Sequence, residues 1–274
     1  SGLREDGRET AGSEADDLVD TKGSGRTYSP DINGFVDARA GIRTREAPDA
    51  KQVSLSEVRL QLEWEKRWVT TGARVVGDIL YDPVYDVDTV NMHDGRGWFD
   101  LREANMYLTP LQFVDIKLGR QILTWGTGDL LFINDNFPKD WQSFFLGRDV
   151  EYLKAPSDAL KASFFFDWAN LDLVYTPQFD ADRHITGRRI AYYSVAAGDQ
   201  VGRDAIVETD RPDEWFEDDE WAVRAYRTVG GYEIAAYGYH GFWKSPAGQN
   251  MRGESTFPRL AVVGASVRGK ALNG

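Results

Sequence analysis

The residues able to do chemistry in this 274-residue chain are charged side chains placed in runs where apolar residues take the alternate positions. Arg39, Glu63, Arg74, Asp78, Glu103, Lys117 and Asp167 all stand in such runs, with Gln121 as a neutral polar member. The chemistry available to such an array is electrostatic. Opposed charges around a water-filled passage set a transverse field and narrow it, which sorts solutes by size and charge. Covalent chemistry is not encoded: the sequence has no Gly-x-Ser-x-Gly elbow, no His-Glu-x-x-His and no phosphate-binding loop. His93, His184 and His240 stand far apart without an accompanying nucleophile, so no enzyme activity and no cofactor are expected.

Composition narrows the function further. A net charge of -12 disfavours nucleic acid, whose phosphates require a basic surface. The chain has no cysteine, which excludes thiol catalysis, a disulfide scaffold and Cys-ligated zinc. Acidic clusters, Asp82 with Asp86 and Asp88, then Asp213, Glu214 and Glu217 to Glu220, could in principle gather Ca²⁺ or reach lipid phosphates through bridging ions. They match no Ca²⁺-loop motif and read as solvated loops.

The elements that carry the alternation are strands. Val58, Leu60, Leu62 and Trp64 alternate with Arg59, Gln61, Glu63 and Glu65, a period of two that makes a poor helix and a good two-faced strand. The same pattern recurs at Val36–Arg43, Val75–Tyr81, Glu103–Leu108, Val114–Gln121, Lys161–Trp168, Leu171–Tyr175, Val223–Tyr226, Tyr232–Ala236 and Leu260–Lys270, about ten strands in all. Residues 1–33 are polar and non-periodic and read as a flexible arm; 34–274 form the β domain.

The connections between strands alternate in length. Tight turns at Thr70-Thr71-Gly72, Thr109-Pro110-Leu111-Gln112, Trp168-Ala169-Asn170 and Val229-Gly230-Gly231 are interleaved with long loops over 82–97, 126–149, 177–220 and 242–258. Short turns on one side and long loops on the other are the layout of an antiparallel up-and-down barrel crossing an outer membrane. A soluble sandwich shares the period-2 signal and has no reason to sort its loops this way. Aromatics near the tight turns, Trp68, Tyr107, Phe113, Trp168 and Tyr232, suit the ring of interfacial side chains such barrels carry. No run approaches the ~18 apolar residues of a spanning helix.

Leu118-Gly119-Arg120-Gln121-Ile122-Leu123-Thr124-Trp125-Gly126-Thr127-Gly128-Asp129 resembles the Gly-Arg-Gln…Trp-Gly signature of Gram-negative outer-membrane porin-like barrels, including alginate-export-like and related uncharacterised families. The run Leu171–Phe179 is similar to their strand-to-loop exit. The resemblance implies an outer-membrane location, an external mouth near Arg120, Trp125 and Asp129, and the loss of a signal peptide from a mature form. Alternation places Arg120 on the apolar face, so either a bulge re-aims it or it sits at the membrane edge, anchoring the next loop. Such barrels end on an aromatic residue; this chain stops at Ala271-Leu272-Asn273-Gly274, so an incomplete barrel, the N-terminal part of a longer one, is expected.

Between 126 and 147 the long loop is unusually apolar, with Phe132, Phe137, Trp141, Phe144 and Phe145, and is expected to fold inward as a constriction or plug. The reading is therefore a porin-like channel for small solutes, surrounded by outer-membrane lipid and lipopolysaccharide and compatible with oligomers. Alternatives are a conduit for an anionic polysaccharide, which calls for surplus inward Arg and Lys, and a soluble or surface protein that binds glycans through its Trp and Tyr.

Overall fold

Alternating side chains and tight turns produce one antiparallel sheet of ten strands. The computed structural model describes residues 30–44, 51–84, 89–125 and 132–269. In chain order the strands are β1 (Asp31–Ile42), β2 (Val53–Arg67), β3 (Thr71–Tyr81), β4 (Phe99–Leu111), β5 (Val114–Ile122), β6 (Pro156–Phe165), β7 (Asn170–Thr176), β8 (Tyr192–Ser194), β9 (Asp199–Val201), β10 (Thr209–Asp210), β11 (Glu220–Val229), β12 (Tyr232–Phe242), β13 (Gly248–Gln249), β14 (Ser255–Thr256) and β15 (Arg259–Gly269). The main sheet runs β1-β2-β3-β4-β5-β6-β7-β11-β12-β15, so every neighbour follows directly in the up-and-down path. The five short strands pair among themselves within the long loops. A five-residue helix, α1 (Trp141–Phe145), and a 3-10 turn (Val150–Leu153) complete the described elements.

Among the described residues no ladder joins β1 to β15, so the sheet is open at both edges. The strand β1 starts at Asp31, inside the stretch expected to be an unstructured arm; Asn33 pairs with Glu63, which fixes its place. Residues 1–29 of that arm lie outside the described residues. The turn between β11 and β12 is the two-residue Gly230-Gly231, with φ of 60° and 84°; positive φ at both central positions is what a type I′ hairpin requires and what glycine supplies. Asp167 falls in the turn after β6 rather than on a strand face.

The two faces of the sheet are inverted relative to a soluble domain. Register places Val36, Val58, Leu62, Val75, Ile79, Met106, Leu118, Leu160, Leu173, Val223, Ile234 and Val263 on one side. These side chains are exposed, Leu118 at 56% and Val263 at 89%. On this face charges stand only near strand ends: Lys66, Arg120, Asp158, Arg227 and Arg259. The opposite face carries the strand charges, and many are buried, including Glu57, Arg59, Asp78, Asp100, Arg102 and Glu220.

Part of that polar face is covered by the segment 132–155. Its helix begins at an Asp140 cap, whose carboxylate accepts from the Ser143 amide at 2.7 Å, supplying an acceptor to an otherwise orphaned N–H. The segment reaches both edge strands: Arg39 on β1 donates to Asp149, and Asn134 donates to the Ala265 carbonyl on β15. One apolar cluster, Leu123, Trp125, Phe137, Val174, Ala222, Ala235, Tyr237 and Tyr239, lies where this segment meets the inward side of β7, β11 and β12.

Candidate functional site

The inward face divides into an open half near the tight turns and a filled half near the long loops. In the open half, neighbouring strands present one acid or base each, and the registers 63↔76, 74↔105 and 107↔117 bring them side by side. The result is a zigzag of four predicted residues. Arg74 contacts Glu63 at 3.1 Å and Glu103 at 3.4 Å, and Lys117 reaches the other oxygen of Glu103 at 3.2 Å. None is fully buried, so the ladder faces water with its charges in balance. Tyr107, expected among the interfacial rings, points inward instead: its hydroxyl donates to Glu65 at 3.0 Å and its ring lies over Gly72, where a Cβ would collide with it.

The remaining turn-end aromatics do face outward. Trp68, Phe113, Trp168 and Tyr232 are exposed, and Phe164, Phe166 and Trp168 stack in a near-parallel row with centroids 6.1 and 5.6 Å apart. A second set, Tyr81, Trp98, Trp221 and Trp243, is exposed at the loop end, with Tyr175 packed 4.4 Å from Trp221.

In the filled half, Tyr152 is the keystone. Its ring lies between two guanidinium groups, Arg59 at 4.1 Å and Arg102 at 4.7 Å from the centroid, and Gln61 donates to its hydroxyl at 2.7 Å. Cation–π contacts gain strength where both groups have left water. Arg59, only 2% exposed, also bridges Asp78 at 2.6 Å and Glu57 at 3.0 Å, and Arg148 closes on the far side of Glu57. Arg102 donates to the carbonyls of Glu151 and Lys154, which clamps the 3-10 turn onto the wall.

Arg102 reaches this position through an irregularity. Strict alternation would put it on the apolar face beside Ala104. The β3–β4 register slips between Val76 and Gly77, so Val76 faces Glu103 while Gly77 faces Leu101; the extra residue turns Arg102 inward.

A third element, Arg183 in the loop after β7, ties three loops together at the long-loop end of the sheet. It grips Asp100 with both terminal nitrogens, bonds Asp140 at 3.2 Å and donates to the carbonyl of Met92. Nothing in its sequence context marks it, because a loop arginine has no periodicity to be read.

The other predicted site residues have structural duties. Asp78 is completely buried against Arg59 and Gln61 and presents no surface to solvent. Gln121 faces inward as expected, yet is spent on the carbonyls of Ala159, Gly119 and Lys117. Arg39 holds Asp37 at 2.7 Å and Asp149 at 3.0 Å. Arg120 keeps its outward register with no bulge to re-aim it; Asp158 neutralises it, and it donates to the Leu101 and Met92 carbonyls, anchoring the loop before β4. Trp125 is buried edge-on against Phe137 at 4.9 Å rather than lining the mouth. Trp141 is half-buried and donates to Asp182. Asp129, Asp86 and Asp88 lie outside the described residues.

From residue 132 on, the long apolar loop lies against the inward face, but its rings are not all buried; residues 126–131 lie outside the described residues. Phe137 is buried; Phe144 and Phe145 are exposed, as is the aliphatic Ile133. The acidic clusters are partly consumed by the protein: Asp82 pairs with Arg189, and Glu220, now within β11, is buried with Lys244 and Tyr239.

No protein-family model matches the chain, and no curated protein matches it.

Proposed function

We propose that the protein is a porin-like outer-membrane channel whose ten-stranded sheet is the wall, or part of the wall, of a β-barrel. The observation that carries this reading is the inversion of the two faces: large apolar side chains are exposed, while charged partners lie inward. In water such an exposed apolar area would drive aggregation; against lipid it is the stable arrangement. Aromatics at both ends of the strands support the same reading. From Val58, which pairs with Tyr81, to Trp68 just past the end of β2, the chain covers about 33 Å at ~3.3 Å per residue. Tilted by ~40°, that spans about 25 Å, the height of the apolar band in such barrels.

Solutes then diffuse along the balanced ladder Glu63–Arg74–Glu103–Lys117 after passing the 132–155 segment, which narrows the loop-side end. Selection is by size and field, with no covalent step. Arg39, Arg59, Arg74, Lys117 and Arg224 each hold a carboxylate partner, so these inward cations offer little unspent charge to an anionic polymer. A general pore for small solutes is therefore favoured over a polysaccharide conduit. Planar-bilayer recording of the refolded protein tests this: stable conductance steps with weak ion selectivity are expected, and a folded, inserted protein that never conducts refutes it.

A further inference from the structure

One feature of the long-loop end has no part in the channel reading. In a chain with a net charge of -12, five basic side chains, Arg43, Lys51, Arg188, Arg189 and Arg203, line a single small recess. They come from two segments far apart in sequence: the connection after β1 supplies Arg43 and Lys51, and the loop after β7 supplies the other three. Ser54 of β2, Val84 from the loop after β3, and Gly187, Ala191 and Gly202 form the rest of the wall.

The recess is built rather than accidental. Arg43 reaches across it to the carbonyl of Arg189 at 2.7 Å and also donates to the carbonyls of Lys51 and Val53. Arg203 donates through Nε to the carbonyl of Arg188 at 3.0 Å. These bonds go to neutral carbonyls, so they orient the guanidinium groups without cancelling their charge. Among the described residues Asp82 pairs with Arg189, which also feels the Glu57 carboxylate, and Glu208 lies 3.3 Å from Arg188. Arg43, Lys51 and Arg203 have no acidic partner there. Like charges held together cost free energy that an oxyanion in their midst would return, and planar guanidinium donors suit the oxygens of phosphate.

We propose that this recess is a binding site for a phosphate group, with Arg43, Lys51, Arg188 and Arg203 as its donors. A phosphate of the lipid headgroup region and a phosphate ester entering from the medium present the same chemistry. The site does not depend on the sheet crossing a membrane; a protein that binds phosphate and never conducts would leave it standing.

The test is calorimetric titration of the refolded full chain with inorganic phosphate, then with detergent-dispersed lipid A and its enzymatically dephosphorylated form. The variants are R43Q/R203Q and K51Q/R188Q, with far-UV circular dichroism and its thermal transition confirming that each folds as the parent does. The proposal expects saturable phosphate binding that weakens about tenfold or more in a folded variant, in line with loss of charge-assisted hydrogen bonds. Lipid A binding that requires its phosphates and is displaced by inorganic phosphate assigns the site to the lipid; phosphate binding without lipid A binding assigns it to a solute. No saturable binding of any probe, or equal affinity in the folded variants, overturns the proposal. R268Q, on the inward face far along β15, serves as a charge-removal control away from the recess and should bind as the parent does.

Discussion

Arg183 and Asp100, 83 residues apart, meet through two hydrogen bonds of 2.7 Å, with both side chains almost fully buried. The pair joins the start of β4 to the loop after β7, and Asp140 joins them from the infolded segment. Substituting Arg183 by Ala strands two buried carboxylates. Breaking a buried pair from one side costs about 3–5 kcal/mol, so R183A should lower the heat-modifiability midpoint sharply. R183K restores the charge without the two-pronged geometry and should recover part of the loss. Equal midpoints for the parent and R183A would show that the pair does not hold the loops.

Tyr152 offers a graded test of the clamp on the infolded segment. Y152F keeps the ring between Arg59 and Arg102 and loses only the bond from Gln61, a change of about 1 kcal/mol. Y152A removes the ring and leaves two stacked guanidinium groups facing a void. Limited proteolysis between 132 and 155 should be nearly unchanged in the first variant and markedly faster in the second, with larger conductance steps where a pore forms.

His184 sets a pH dependence. Its Nδ1 lies 3.2 Å from the Asp182 carbonyl, while its Nε2 is buried with no hydrogen-bond partner. Burial, outweighing nearby acidic groups and the Asp182 carbonyl, holds its pKa below the ordinary histidine value; His93 is shifted the same way by burial and by Arg211. A depressed folded pKa means the unfolded chain takes up the proton first. The stabilisation is thus complete above about pH 6.5 and is lost as pH falls through the folded value. Unfolding midpoints between pH 7.5 and 5.5 should fall for the parent and flatten in H93Q/H184Q. An equal fall in both would assign the effect to other groups.

Much of this was legible in the sequence, and the losses have physical causes. Alternation and turn chemistry gave the ten strands, their order and the inward placement of Glu63, Arg74, Glu103 and Lys117, because a period of two survives any detail of packing. Arg102 was hidden by a bulge, which shifts the phase without changing composition. Tyr107 sits near a turn like its outward neighbours, but its alternation with Asn105 and Glu103 puts it on the charged face, where it bonds Glu65. Asp78 and Gln121 were placed on the correct face, yet whether a polar side chain meets solvent or a partner depends on what the loops bring down onto it. Arg148, Tyr152 and Arg183 come from those loops, where no periodicity exists.

A charge placed on the outward face separates the membrane reading from a soluble one. L118R and V263R each put a cation into the apolar band, at about 2–4 kcal/mol near the middle of a bilayer, and should block insertion into lipid vesicles. K161E, an inward change on β6, should insert normally and alter ion selectivity. If L118R inserts as well as the parent, that face does not meet lipid.

The central claim is the inversion of the two faces, and the chain's lack of cysteine makes it directly measurable. Spin labels on single cysteines at 62, 118 and 263 are outward, and at 63, 117 and 161 inward. With the protein in bilayers, the account predicts collision with dissolved oxygen at the first three and with a water-soluble nickel chelate at the second three. Nickel accessibility at all six positions would contradict it.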